Sequence, residues 1–152
     1  EHRPRLTDYH TGCAFMVRAD IIRRIGGFDL TYGLYTEDVD LSMKILQTGH
    51  KLWITPNAKV YHHVSASAGG ELSPFKAFHR GRSAVLFVRR WARWWHLPTL
   101  FFGGLLGGML ISAKLILTGK SSTAGAIWRG IFCGFTGRKT PMEFRLGFPD
   151  QE

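Results

Sequence analysis

"YTEDVDLSMKILQTGHKL", residues 35–52, sets three carboxylates, Glu37, Asp38 and Asp40, at the head of a helical stretch in a chain that is otherwise strongly basic. Thr36 stands where an N-cap is needed, and Glu37 and Asp38 fall where the positive end of the helix dipole favours anions. Gly49, after Gln47 and Thr48, supplies the stop. Acidic residues open many helices for that electrostatic reason alone, so the neighbours decide whether this cluster carries chemistry.

Upstream, "HTGCAFMVRAD" (10–20) reads as a short buried strand entered through Gly12 and ended by Arg18. "ADIIRRIGGFD" then reads as a short helix capped by Asp20, with Ile21, Ile22 and Ile25 on one face and Gly26 as its left-handed stop. A glycine-rich turn, "GGFDLTYGLY", leads into the acidic cluster. Downstream, "HKLWITP" and "AKVYHHV" read as two further strands or extended segments divided by Pro56 and Asn57, with Trp53 in the core. "SASAGGELSP" (65–74) reads as a small-residue, flexible loop.

Taken in this order, the glycine-led strand, "GGFD", "YTEDVDLSMKI" and "TGHKLWITPNAKVYHH" resemble the second half of a family 2 glycosyltransferase domain of the GT-A type, an α/β, Rossmann-like fold. The resemblance runs from residue 11 to about residue 67. It continues less strongly through "HRGRSAVLFVRR" and "AIWRGIFCGFTGR", as in rhamnosyltransferase-like bacterial members whose catalytic domain is followed by a basic helix and an apolar tail.

The resemblance implies an inverting transfer from a nucleotide-sugar donor to a lipid-linked or cell-surface glycan acceptor. Asp38 matches the general base of such enzymes. The acceptor hydroxyl must lose its proton as it attacks the anomeric carbon from the face opposite the nucleotide diphosphate, so one carboxylate must reach that oxygen. Glu37 would orient the loop or the acceptor, while Asp40, two residues on, would point elsewhere and bond structurally. Gly12, Gly26, Gly27, Phe28 and Asp29 would form the acceptor side, glycines letting backbone approach a sugar and Phe28 packing beneath.

A divalent metal, manganese or magnesium, is implied on the donor diphosphate. Asp38 and Asp40 have the D-x-D spacing used to hold it, but the family's D-x-D ends an apolar strand and this one opens a helix. The metal aspartates are therefore expected upstream of Glu1, and this chain alone is not expected to be a competent transferase. His62 matches a histidine placed near metal and diphosphate, imidazole being a suitable ligand or phosphate donor. A half-buried strand histidine is the alternative. His63 would face the other way on an extended strand.

The net charge of +9, from 20 Lys and Arg against 11 Asp and Glu, fits an anionic partner: nucleic acid, a diphosphate or an anionic membrane face. Cys13 and Cys133 lie far apart and form no metal or disulfide framework, as in a reducing compartment. Residues 1–12 lack the apolar core of a signal peptide, and a chain that starts at Glu is compatible with an excised piece.

From Phe75 the character changes. "PFKAFHRGRSAVLFVRRWARWW" (74–95) reads as an amphipathic helix whose arginines, interleaved with Phe78, Val85, Leu86, Phe87 and Val88, suit a membrane interface. Arg80 and Arg82 match a basic pair in the family and would reach a diphosphate or lipid phosphate, or else form a solvated charge stripe. Positions 97–113 carry no charge, at the lower limit for spanning a bilayer, and Lys114 follows. A full span and a tilted, re-entrant or surface-lying hairpin are equally compatible. Gly103, Gly104, Gly107 and Gly108 have small-xxx-small spacings that permit close helix contact in lipid.

The expected division is an acceptor-side half domain (1–73), a basic amphipathic helix (74–96), and apolar, membrane-associated helices with a basic tail (97–152). Basic residues flanking the apolar stretch point to the cytoplasmic face of the plasma membrane. The uncharged segment favours a membrane partner over nucleic acid. The competing function is a catalytically incomplete module that binds membrane or glycan.

Overall fold

The computed structural model describes residues 3–62 and 72–144; His63, positions 65–71 of the expected loop and the 145–152 tail lie outside them. The chain forms two compact units, Glu1–Ala66 and Ser67–Glu152.

In the first unit, β1 (Arg5–Thr7) pairs antiparallel with β2 (Leu52–Ile54), Leu6 opposite Trp53. Helix α1 (Ala19–Arg24) and helix α2 (Glu37–Gln47) complete it. Leu41 and Ile45, one turn apart on α2, are buried with Ile21 and Leu52, and Phe15, Val17, Ile22, Ile25 and Leu46 pack around them. Full burial of each such side chain stabilises the fold by about 1.5–3 kcal/mol. The shared face expected for Ile21, Ile22 and Ile25 is thus formed.

Three local expectations are corrected. The strand read over 10–20 does not form, Cys13 lying in a turn and Ala14 in a bend, and residues 58–62, read as a strand or an extended segment, join no ladder among the described residues. Extended chain becomes strand only when its N–H and C=O groups meet a partner backbone. Trp53, read as core, is 53% exposed, because on β2 only Leu52 turns inward. Asp20 lies inside the first turn of α1 and Arg18 holds the cap position; the Arg18 guanidinium engages both Asp20 oxygens, at 3.1 and 2.8 Å, and so draws that carboxylate away from the backbone. At the other end Gly26, at φ +76°, closes a Schellman motif: the Gly27 N–H donates to the Ile22 carbonyl at 3.0 Å and the Gly26 N–H to that of Arg23 at 3.4 Å.

The second unit consists of α3 (Pro74–Trp91), a long helix α4 (Trp94–Leu117), α5 (Ser121–Thr136) and a one-turn 3-10 helix, Met142–Phe144. Ser73 caps α3 by accepting from the Lys76 N–H at 3.3 Å, with Pro74 as the first helical residue. Helices α3 and α5 approach closely because glycines meet backbone. A Cβ on Gly130 would collide with the Phe78 carbonyl, one on Gly81 with the Ile127 carbonyl, and one on Gly134 would lie 2.8 Å from the Arg82 carbonyl oxygen. Phe78 lies against Gly130 and Val85 against Gly134, so the two helices run in the same direction. Phe144 packs on the side of the pair, stacked on Phe78 at 4.3 Å, with the Arg129 guanidinium over its ring.

Phe78 and Val85, expected at a membrane interface, are therefore buried against protein. The hairpin alternative for the apolar stretch also gives way: Trp94–Leu117 is one continuous helix, π-wound over Leu100–Leu106, and the chain reverses after it at Gly119, φ +76°. This helix is long and apolar enough to cross a membrane, with a mean hydropathy of 1.9 over its most apolar window, of which only 6% is buried. Its glycines lie open within the chain: a Cβ on Gly103, Gly104 or Gly108 would meet nothing.

Candidate active site at the head of α2

The acidic cluster is presented by a strained turn. Tyr35 and Thr36 both sit in the left-handed region, at φ 66° and 63°, immediately before Glu37. Such conformations cost non-glycine residues about 1–3 kcal/mol each and persist where the surroundings enforce them. Thr36 occupies the N-cap position expected for it, but its hydroxyl donates to the Tyr35 carbonyl at 2.7 Å and does not cap the helix. With the hydroxyl turned away, the Val39 N–H of the first turn is met by Asp38 Oδ1.

The segment around Gly12 donates to side chains of this helix. The Gly12 N–H donates to Asp38 Oδ2 at 2.7 Å, and the His10 N–H donates to the buried Ser42 hydroxyl at 3.0 Å. Ser42 in turn donates to the Asp38 carbonyl at 2.8 Å, and Asp38 Oδ1 accepts from the Val39 N–H at 2.8 Å. Asp38 is thereby held at both oxygens by backbone N–H groups. A Cβ at Gly12 would stand 3.5 Å from Asp38 Oδ2, an ordinary contact, so it is the N–H of Gly12 and not its lack of a side chain that engages the carboxylate.

Glu37 has a different environment. Its Oε2 is buried with no hydrogen-bond partner, and burial first, with the neighbouring Asp38 charge adding to it, pushes this carboxyl above the usual range. Asp40 behaves as the structural member of the three. It is fully buried, accepts from the Tyr32 hydroxyl at 3.3 Å and pairs with Lys44 at 3.1 Å. Lys44 also donates to the Gly27 carbonyl at 3.2 Å, so one ammonium ties the glycine turn to the helix.

On the expected acceptor side, Gly26 and Gly27 have φ of 76° and 67°, and a Cβ on either would meet open space. Phe28 is 43% exposed and meets Phe15 edge-to-face at 6.0 Å. Asp29 folds the following turn by accepting from the Thr31 N–H at 2.9 Å and the Thr31 hydroxyl at 2.6 Å.

Asp38 and Asp40 do not fit a metal: ligation by Asp40 would sacrifice its buried pairing with Lys44 and Tyr32. His62 is exposed on the extended segment after β2, and no group of three His, Cys, Asp or Glu side chains converges among the described residues. Arg80 and Arg82 lie on α3, in the second unit, Arg80 exposed and Arg82 partly buried. The sequence reading missed His10, Ser42, Tyr32 and Lys44. Of these, only Lys44 carried a signal, its i,i+4 spacing from Asp40.

Comparison with known proteins identifies the family. Residues 8–137 match the model of glycosyl transferase family group 2. The chain is 31% identical over 98 residues to the N-acetylglucosaminyl-diphospho-decaprenol L-rhamnosyltransferase of Mycobacterium tuberculosis, in two strains; the match covers 64% of this chain and 32% of that protein. An uncharacterized protein, y4gI, of Sinorhizobium fredii is 33% identical over 84 residues, 53% of this chain and 9% of its own. No solved structure matches. The chain spans about a third of the length of the rhamnosyltransferases it matches. The match over residues 8–137, most of the chain, places this protein in glycosyl transferase family group 2, whose domain has the GT-A fold.

Proposed function

We propose that the chain is the acceptor half of an inverting glycosyltransferase that moves a sugar, a deoxyhexose such as rhamnose, from a nucleotide-sugar donor to a lipid-linked acceptor, with Asp38 as general base. The observation that carries this reading is the carboxylate of Asp38, fixed by the Gly12 N–H at 2.7 Å at a strained loop-to-helix junction. Such fixing limits the rotamers from which the base can take the acceptor proton, which is what attack on an anomeric carbon requires. Glu37 is the positioning partner: a buried, unpaired Oε2 suits a hydrogen bond with a sugar hydroxyl. The exposed backbone of Gly26 and Gly27, with Phe28 and Asp29, forms the acceptor side.

The divalent metal expected on the leaving diphosphate would take at most His62 from the described residues, and Arg80 and Arg82 would reach a diphosphate or lipid phosphate. The apolar helix α4, bracketed by Arg90, Arg93 and Lys120, suits attachment at the cytoplasmic face of a membrane, where a polyprenyl acceptor resides.

The test is Asp38→Asn in the full-length protein. Asparagine keeps an oxygen for the Gly12 N–H, so the fold and donor binding are retained, while kcat falls by about 10²–10⁴, the usual contribution of a general base. Undiminished turnover removes Asp38 from the chemistry. Absence of transfer in the unmodified protein, with membrane or glycan binding intact, leaves the binding-module reading.

A further inference from the structure

A recess of about 450 Å³ opens at the C-terminal end of α5, lined by Trp128, Arg129, Phe132, Cys133, Arg138 and Lys139, with Pro141 at its edge. Three cations around one recess make it a candidate for an anion, although Arg129 is paired with Glu143 at 2.6 Å. Arg138 and Lys139 follow Gly137, whose left-handed conformation, φ +67°, turns the chain back over the end of the helix. The Arg138 guanidinium lies 5.3 Å from the centre of the Phe132 ring, and its carbonyl accepts from the Cys133 thiol at 3.0 Å, so this basic turn is held in place.

A helix C-terminus repels anions through its dipole. Here that field is reduced, because Arg89 of α3 donates to the carbonyls of Gly134 and Phe135 at 3.1 and 3.2 Å. The other wall is aromatic and leads to the apolar helix. Trp128 donates through Nε1 to the buried Ser112 hydroxyl on α4 at 2.9 Å, and nearby Ile111, Ile116 and Leu117 are more than half exposed. An anion that carries a hydrocarbon chain would satisfy both walls at once; a free anion would use only the first.

We propose that this recess binds the phosphate group of a lipid, with Arg138 and Lys139 engaging the phosphate and Trp128 and Phe132 flanking its chain. The guanidinium fork suits phosphate oxygens and the ammonium adds a point charge. Cys133, which lines the recess, reports on its occupancy.

The experiment uses the full chain carrying Cys13→Ser, so that Cys133 is the only thiol, in maltoside micelles, with alkylation by N-ethylmaleimide followed by mass spectrometry. Dioctanoyl phosphatidic acid slows alkylation of Cys133 several-fold, whereas dioctanoylglycerol and inorganic phosphate do not. The protection disappears in Arg138→Gln/Lys139→Gln, whose helical circular dichroism matches that of the parent. The proposal is overturned if phosphatidic acid gives no protection, if dioctanoylglycerol protects equally, if inorganic phosphate alone suffices, or if the double variant is protected as before.

Discussion

In the first unit a helix is fixed by polar ties to the preceding loop: Gly12 and His10 reach Asp38 and Ser42, and Lys44 joins Asp40 to the glycine turn. In the second, two helices are fixed by backbone lying on backbone at Gly81, Gly130 and Gly134. The first arrangement leaves a carboxylate at the surface with its geometry set. The second removes side chains from the contact and gains rigidity. Chemistry and scaffold are thus built from different forces, and each is sensitive to different substitutions.

The largest effect should come from Lys44→Met, which removes the ammonium paired with the buried Asp40 carboxylate; the expected loss is about 3–5 kcal/mol. Trp53 is the one tryptophan of the first unit, so its fluorescence during urea unfolding reads that unit. A loss below about 1 kcal/mol would mean that polar ties do not hold α2. Next, Gly130→Ala should cost about 1–3 kcal/mol by overpacking against the Phe78 backbone, seen as a lower thermal midpoint in the signal of the second unit's tryptophans. Gly104→Ala, on the open face of α4, should show the opposite sign and stabilise by up to about 1 kcal/mol through helix propensity. Equal losses at positions 104 and 130 would erase the contrast between packed and open glycines.

The smallest effect concerns pH. Burial holds the His79 imidazole below its ordinary range, partly offset by its hydrogen bond to the Phe144 carbonyl at 2.7 Å, with the Arg82 charge lowering it further. The unfolded chain then binds this proton more readily than the folded one, so the second unit loses stability as pH falls through the ordinary histidine range toward the folded value. His79→Gln should flatten that slope in melts between pH 7 and 5; an unchanged slope assigns it to other groups.

Much of this was legible in sequence. The limits of α2, the isoleucine face of α1 and the left-handed Gly26 follow from periodicity and caps, and the order of motifs from "HTG" to "YHH" carried the family. What failed were features set by partners distant in sequence. The strand expected at 10–20 depends on neighbours that no local pattern specifies, and the outward face of Trp53 depends on which side of a two-stranded sheet is covered. The small-residue spacing is most conspicuous at Gly103–Gly108, yet within the chain the close helix contact falls at Gly130 and Gly134, four residues apart on α5. The spacing of small residues is the same in both; only the presence of α3 opposite distinguishes them. The strain at Tyr35 and Thr36, and the role of Ser42, had no sequence signal.

Arg89 finds its carbonyl partners at Gly134 and Phe135, 45 and 46 residues further along the chain, with the whole of α4 between them. On a ribosome adding about 5–20 residues each second, α3 is therefore complete several seconds before the helix that covers Ala77, Phe78 and Val85 has been made. During that interval its apolar face has no partner from its own unit. A nascent chain stalled before Gly134 would expose this face, so the order of synthesis makes α3 the segment most in need of a chaperone or a membrane surface at birth.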